Sequence, residues 1–123
     1  MAARRARRGA RAYQAGQAAE AAVERHYDRA GHPVAARRWR GAGGEIDLVL
    51  RDGEGLIFVE VKTSRDFARA AERVSPRQLA RIQAAATEFM AREPAGQNTL
   101  ARVDVALVDG AGRIDILENV MAA

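Results

Sequence analysis

Two short segments in this chain alternate apolar and polar residues, and they flank a turn signal. Ile46, Leu48 and Leu50 mark the first segment, and Ile57, Val59 and Val61 mark the second. Period-two alternation is the pattern of a strand. The intervening Asp52-Gly53-Glu54-Gly55 suits a two-residue type II′ turn centred on Gly53-Glu54. An antiparallel hairpin follows, with residue 52 facing 55. Ile46 then faces Val61, Leu48 faces Val59 and Leu50 faces Ile57. A slip of one residue would set acids against aliphatics, so the hydrophobic pattern itself selects this register.

The same register places Asp47 across from Glu60, and Glu45 across from Lys62. Lys62 stands out because 19 of the 20 basic residues are arginine and it is the remaining one. An ammonium is a compact point charge, suited to acting on a water or a developing oxyanion. Two carboxylates held face to face repel by about 4 kcal/mol at ~4 Å and an effective dielectric of ~20. Solvation, a raised pKa on one acid or a bound cation would relieve that repulsion. Asp47, Glu60 and the backbone carbonyl of Val61 make the kind of hard-oxygen partial shell that Mg²⁺ takes, with waters completing it. Lys62 could then orient or polarise a water beside the metal. The same residues also fit a solvated polar face, with Glu45–Lys62 a cross-strand ion pair and Asp47 and Glu60 directed to water.

Around this hairpin the chain predicts a helix over about residues 15–30, stopped by Gly31 and Pro33, and a strand over 34–40. Residues 63–74 read as a polar, partly helical connection. Ser75-Pro76-Arg77-Gln78 carries an N-cap, a proline at the first helical position and a capping-box glutamine. Leu79, Ile82, Ala86, Phe89 and Met90 line one face of the helix that follows. Strands over 100–108 and 113–119 close the chain as a second hairpin. Helix, three strands, helix, two strands points to an α/β fold around a mixed sheet of about five strands flanked by helices, because the long second connection permits a parallel crossover.

The length of 123 residues fits a single domain over 13–123, preceded by a basic arm over 1–12 read as flexible. Without cysteine the chain has no disulfide and no thiolate chemistry. No apolar run approaches the length of a membrane span and no signal peptide is evident, so a cytoplasmic protein is expected. Charge is divided unevenly. Residues 1–40 carry ten arginines against Glu20, Glu24 and Asp28, a net of +7. Residues 41–123 carry ten basic and thirteen acidic groups, a net of −3. A basic front with an acidic centre suits a protein that holds a polyanion around a carboxylate site. Arg4, Arg5, Arg7, Arg8 and Arg11 in the arm are candidate phosphate contacts, as are Arg37, Arg38 and Arg40. In a regular strand Arg38 and Arg40 share one face, and Arg37 and Trp39 the other, with Trp39 a packing residue. His26, on the first helix, and His32, in a turn, have no partner set for catalysis.

Asp47 followed by Glu60-Val61-Lys62 on the next strand resembles the PD-(D/E)xK nuclease superfamily. More closely, Gly44-Glu45-Ile46-Asp47-Leu48-Val49, Phe58-Val59-Glu60-Val61-Lys62, Arg102-Val103-Asp104-Val105 and the Gly16-x-x-x-Glu20 spacing resemble the YraN family of small bacterial proteins, which are similar to Holliday-junction resolvases. The resemblance implies a restriction-endonuclease-like fold, Asp47 and Glu60 as metal ligands, and Lys62 as the catalytic lysine. It implies Glu20 as a further acid for Mg²⁺ or Mn²⁺. Glu45 and Gln78 are auxiliary candidates, the latter already accounted for by helix capping. Arg65 and Arg77 join the expected phosphate contacts, although Ser64 and Arg77 depart from residues common in the family. The activity so implied is metal-dependent hydrolysis of DNA, branched DNA in particular, in recombination or repair. A homodimer would suit junction cleavage. The alternative is a nucleic-acid-binding module that assists a repair or recombination partner without cutting.

Overall fold

The central hairpin forms in the expected register from its turn as far as Leu48 and Val59, while the expected Ile46–Val61 pair is not made. In the computed structural model, which describes the backbone of residues 2–121 and the side chains of residues 15–121, β2 (Gly44–Asp52) and β3 (Gly55–Thr63) pair antiparallel from Asp52↔Gly55 to Leu48↔Val59. Gly53 has φ +59° while Glu54 does not enter the positive region, as a type II′ turn requires. Outside it, β1 (Val34–Gly41) pairs antiparallel with β2, β4 (Ala101–Val108) runs parallel to β3, and β5 (Ile114–Leu117) returns antiparallel to β4. The result is an open five-stranded mixed sheet in the order β1-β2-β3-β4-β5, an α/β fold.

Both faces of this sheet are covered, so the solvated polar face considered from the sequence does not form. Helix α1 (Ala2–Arg29) lays Ala19, Val23 and Tyr27 on Leu48, Leu50, Ile57 and Val59. On the other face α3 (Pro76–Met90) lays Ile82, Ala85, Ala86 and Phe89 on Ile46, Val49, Leu56 and Phe58. The short α2 (Phe67–Glu72), capped by Asp66, packs Ala70 on Val105 and Leu107. α2 and α3 supply the crossover that the parallel β3–β4 pair needs. Helix α1 begins at Ala2, well before the expected start near residue 15. Residues 2–12, expected as an arm, are alanine- and arginine-rich, and both types rank high among helix formers. The side chains of Arg4, Arg5, Arg7, Arg8 and Arg11 lie outside the described residues.

Besides a register shift between Val34 and Ala36 in β1, strand alternation breaks at one further level of the sheet, in β1 and β2 together. Ile46 packs with Val49 against α3, whereas Leu48 and Leu50 pack against α1. In β1, Arg37 bonds Glu24 of α1, while Trp39 stacks edge-on against Phe89 of α3 with ring centroids 5.3 Å apart. The regular faces expected for Arg37 to Arg40 therefore do not hold. Arg38 marks the break with φ +46°, a left-handed conformation uncommon outside glycine. It lies between the pairs Arg37↔Leu48 and Trp39↔Ile46, level with Asp47. The irregularity lets Ile46 and Leu48, which a regular strand would put on one face, enter the cores on opposite faces.

Candidate active site

At that level β2 and β3 stop pairing through their backbones. Beyond Leu48↔Val59 no further ladder pair forms between them; the carboxylate of Asp47 reaches across instead, and its Oδ2 accepts the N–H of Val61 at 2.8 Å. Replacing a backbone acceptor by a side chain fixes Asp47 against β3. Glu60, next in β3, is 14% exposed at its side chain. Burial first, and the neighbouring Asp47 charge second, push its carboxyl up to about 7, with Lys62 opposing the shift. Asp47 and Glu60 are thus brought together as expected, and the cost of their proximity appears on Glu60.

Lys62 Nζ lies 3.4 Å from Glu60 Oε1, and its side chain is 13% exposed. The Gln78 amide supplies its other partner. With the amide oxygen toward β3, it accepts from Lys62 Nζ at 2.7 Å while the amide nitrogen donates to the Arg73 carbonyl at 2.8 Å. The opposite orientation offers only a 3.4 Å contact with the Ser75 N–H. Two short, complementary bonds outweigh one long one, so the amide belongs to Lys62. Ser75 still caps α3, its Oγ accepting the Gln78 N–H at 3.1 Å. Arg73 in turn donates through Nη1 to the Thr63 carbonyl at 2.8 Å, tying the helix connection to the end of β3. Lys62 is therefore a nearly buried ammonium held between a carboxylate and an amide oxygen. In this orientation the Gln78 side chain gives up the capping-box bond to the Ser75 N–H, and the tertiary placement of α3 brings it to the lysine instead.

Glu45 takes a different partner from the one expected. Arg40 of the adjacent strand donates to its Oε2 at 3.0 Å, because the β2–β3 ladder has opened before Glu45 could face Lys62. It still lines a cleft of about 220 Å³ together with Gly44, Glu60, Gln78, Arg81 and Ile82. Glu20 lies on the α1 side, accepting from Arg38 Nε at 3.1 Å and Nη2 at 3.3 Å. It lines a separate cleft of about 340 Å³ with Glu24 and Arg37. Among the described residues no three His, Asp or Glu side chains converge as a ready-made cation cage. Val61 enters through its N–H, while the strand itself continues parallel to β4 at Ala106. Arg65 and Arg77 are exposed.

A further buried acid, Asp104 on β4, has a structural role that the sequence does not assign. With no solvent exposure, it accepts from Tyr27 Oη at 2.8 Å, Arg102 Nε at 3.1 Å and the Asn119 N–H at 3.0 Å. Burial and the Asp104 bond hold the Tyr27 phenol well above its ordinary range. The node joins α1, β4 and the segment after β5. Its sequence signal is an acid within the apolar run Val103–Val108, where a buried charge needs partners.

Residues 19–108 match the model of the uncharacterised protein family UPF0102. The chain belongs to UPF0102, the YraN family. A UPF0102 protein of Cereibacter sphaeroides is 63% identical over 105 residues, covering 85% of this chain and 90% of the relative. One from Ruegeria pomeroyi is 59% identical over 114 residues, 93% of each chain. One from Dinoroseobacter shibae is 49% identical over 120 residues, covering 98% of this chain and 90% of its own. The UPF0102 span contains Glu20, Asp47, Glu60, Lys62, Gln78 and Asp104, and it excludes the arginines before residue 12.

Proposed function

We propose that this UPF0102 protein is a divalent-metal-dependent DNA endonuclease of the PD-(D/E)xK type, acting on branched DNA. The observation that carries the reading is the group at the opened end of β2 and β3. Asp47 and Glu60 lie together there, and Lys62 is fixed beside them by Gln78. The donor set suits Mg²⁺ or Mn²⁺. Two carboxylates and a nearby carbonyl are the few protein ligands such an ion takes, the remainder being water. Without a cation, one of the two acids resists ionisation, so the site has a use for positive charge.

Asp47, Glu60 and the Val61 carbonyl would hold the ion. When bound, it supplies Lewis acidity toward a phosphoryl oxygen and lowers the pKa of a coordinated water. The protein's own groups do the rest. Asp47, fixed by the Val61 N–H, holds its carboxylate on Glu60's side of the cleft. Lys62, its position set by Gln78, directs an ammonium at the attacking water or at the negative charge that develops on the phosphorane. Glu20, engaged by Arg38 in the separate cleft on the α1 face of the sheet, takes no part in this group.

Cleavage of four-way-junction, flap and linear duplex DNA with Mg²⁺ or Mn²⁺ tests the reading. Junction cutting is expected, with loss of at least about a hundredfold in Asp47→Asn and Lys62→Ala, the scale of removing one charge-stabilising group. Purified protein that binds these DNAs and cuts none, or variants that cut like the wild type, would sink it. Binding without cutting would instead identify a nucleic-acid-binding module.

A further inference from the structure

The β1 arginines that the sequence offers for phosphate contact are engaged elsewhere. Arg37 forks onto Glu24 at 2.6 and 2.9 Å, Arg38 onto Glu20, and Arg40 onto Glu45. Each sits beside a carboxylate that cancels its field and would repel an incoming phosphate. Arg77 and Arg81 on α3 differ. Both are exposed, and neither forms a hydrogen bond or ion pair with the described residues. At i and i+4 they share one helix face about 6 Å apart. Ala80 beside them is exposed and short, so nothing bulky at that position keeps a strand away from the helix surface.

This face leads into the candidate site. Arg81 lines the cleft with Glu60 and Gln78. The β1–β2 turn is pressed against α3 just beyond it: a Cβ added to Gly43 would stand 2.7 Å from the Ala84 Cβ. Glu88, the acid of α3, is occupied by the same turn, accepting the Ala42 N–H at 3.0 Å and the Gly43 N–H at 3.1 Å. The Arg77–Arg81 face is thus left with positive charge and no acid of its own helix to oppose it.

We infer that Arg77 and Arg81 form a phosphate rail that leads one DNA strand past Gln78 into the Glu60 cleft, while Arg37, Arg38 and Arg40 brace β1. The inference rests on the nuclease reading for the direction of the strand, and on the exposed α3 guanidiniums for its affinity. Arg81 belongs to it although nothing in the sequence alone singles it out.

Fluorescence anisotropy of labelled four-way-junction DNA, in EDTA and between about 50 and 200 mM salt, tests it in the Asp47→Asn background. The slope of log affinity against log salt falls by about 0.9 for each phosphate that is no longer neutralised. Arg77→Ala and Arg81→Ala are each expected to reduce the slope by about that amount and to weaken binding several-fold. Arg81→Lys, which retains a charge, is expected to keep the slope. Arg37→Ala, which also removes an exposed guanidinium, is expected to leave it unchanged. Circular dichroism confirms that each variant is folded. Unchanged slopes in Arg77→Ala and Arg81→Ala, an equal drop in Arg37→Ala, or no DNA binding at all would overturn the inference. Cleavage by the wild type separates the two readings. A protein that cuts DNA with its α3 arginines irrelevant loses the rail and keeps the nuclease. One that binds through them and never cuts loses the nuclease and keeps the rail.

Discussion

Glu60 is the residue on which the conflicting demands of this site meet. Its folded pKa of about 7 lies above the ordinary 4.5, because burial and Asp47 oppose its charge more than Lys62 supports it. A raised folded pKa gives stability that is complete below the unfolded value and is lost as pH rises through the folded one. Metal-free protein should therefore lose stability between about pH 4.5 and pH 7, by no more than about 3 kcal/mol from this group. Glu60→Gln removes the titrating charge while keeping the shape. Urea unfolding in EDTA at pH 8 should find it about 1–3 kcal/mol more stable than the wild type, with the slope across that pH window flattened. A variant less stable than wild type at pH 8 would mean that the carboxylate is satisfied and carries no strain. Gln78 gives a second residue-scale expectation. Gln78→Ala frees Lys62 on one side, so single-turnover cleavage should slow about tenfold or more while DNA affinity stays close to wild type. Slowed cleavage explained entirely by weaker binding would reduce Gln78 to a helix cap.

Among the elements, local chemistry decides what is legible in the sequence, and neighbours decide what is hidden. The hairpin register from Asp52↔Gly55 to Leu48↔Val59 follows from period-two alternation and one turn, and α3 follows from Ser75, Pro76 and its apolar stripe. The proximity of Asp47, Glu60 and Lys62 is legible because they come directly after the end of that ladder. The switch of faces at Arg38 and Asp47 is not, because strict alternation assumes that one face is core and here both are. Pairing Glu45 with Lys62 extends a ladder that in fact stops short of both residues. The Gln78–Lys62 bond and the place of Arg81 need the packing of α3 on the sheet, which no local pattern encodes. The Tyr27–Asp104 bond is of the same kind, joining residues 77 apart in sequence. Tyr27→Phe removes one of the donors to a buried carboxylate and should cost about 1–3 kcal/mol in urea unfolding at pH 7. The folded state also keeps the phenol protonated beyond the pH near 10 at which an unfolded tyrosine ionises. Wild-type stability should hence fall as pH rises above about 10 more steeply than that of Tyr27→Phe. Parallel pH profiles would show that Asp104 does not depend on this donor.

For the whole molecule, the sheet separates two chemistries. α1 covers one face with its bidentate Arg–Glu pairs, and α3 covers the other, where Glu60, Lys62 and Gln78 meet. No helix among the described residues is long and apolar enough to cross a membrane, and the apolar stripes of α1 and α3 lie on the sheet. The two faces should respond differently to a divalent cation. An ion that binds the folded site and not the unfolded chain stabilises by about 2.7 kcal/mol at a hundred times its Kd. Thermal unfolding with Mg²⁺ or Mn²⁺ titrated against EDTA should raise Tm in the wild type, and the rise should vanish in Asp47→Asn. It should persist in Glu24→Gln, whose carboxylate lies with Arg37 on the α1 side. Because the cation would relieve the repulsion that raises Glu60, its stabilising effect should be larger at pH 8 than at pH 5, where Glu60 keeps its proton and competes with the metal. An equal rise in all three proteins, or one indifferent to pH, would place the cation on the general surface and remove the metal from the proposed chemistry.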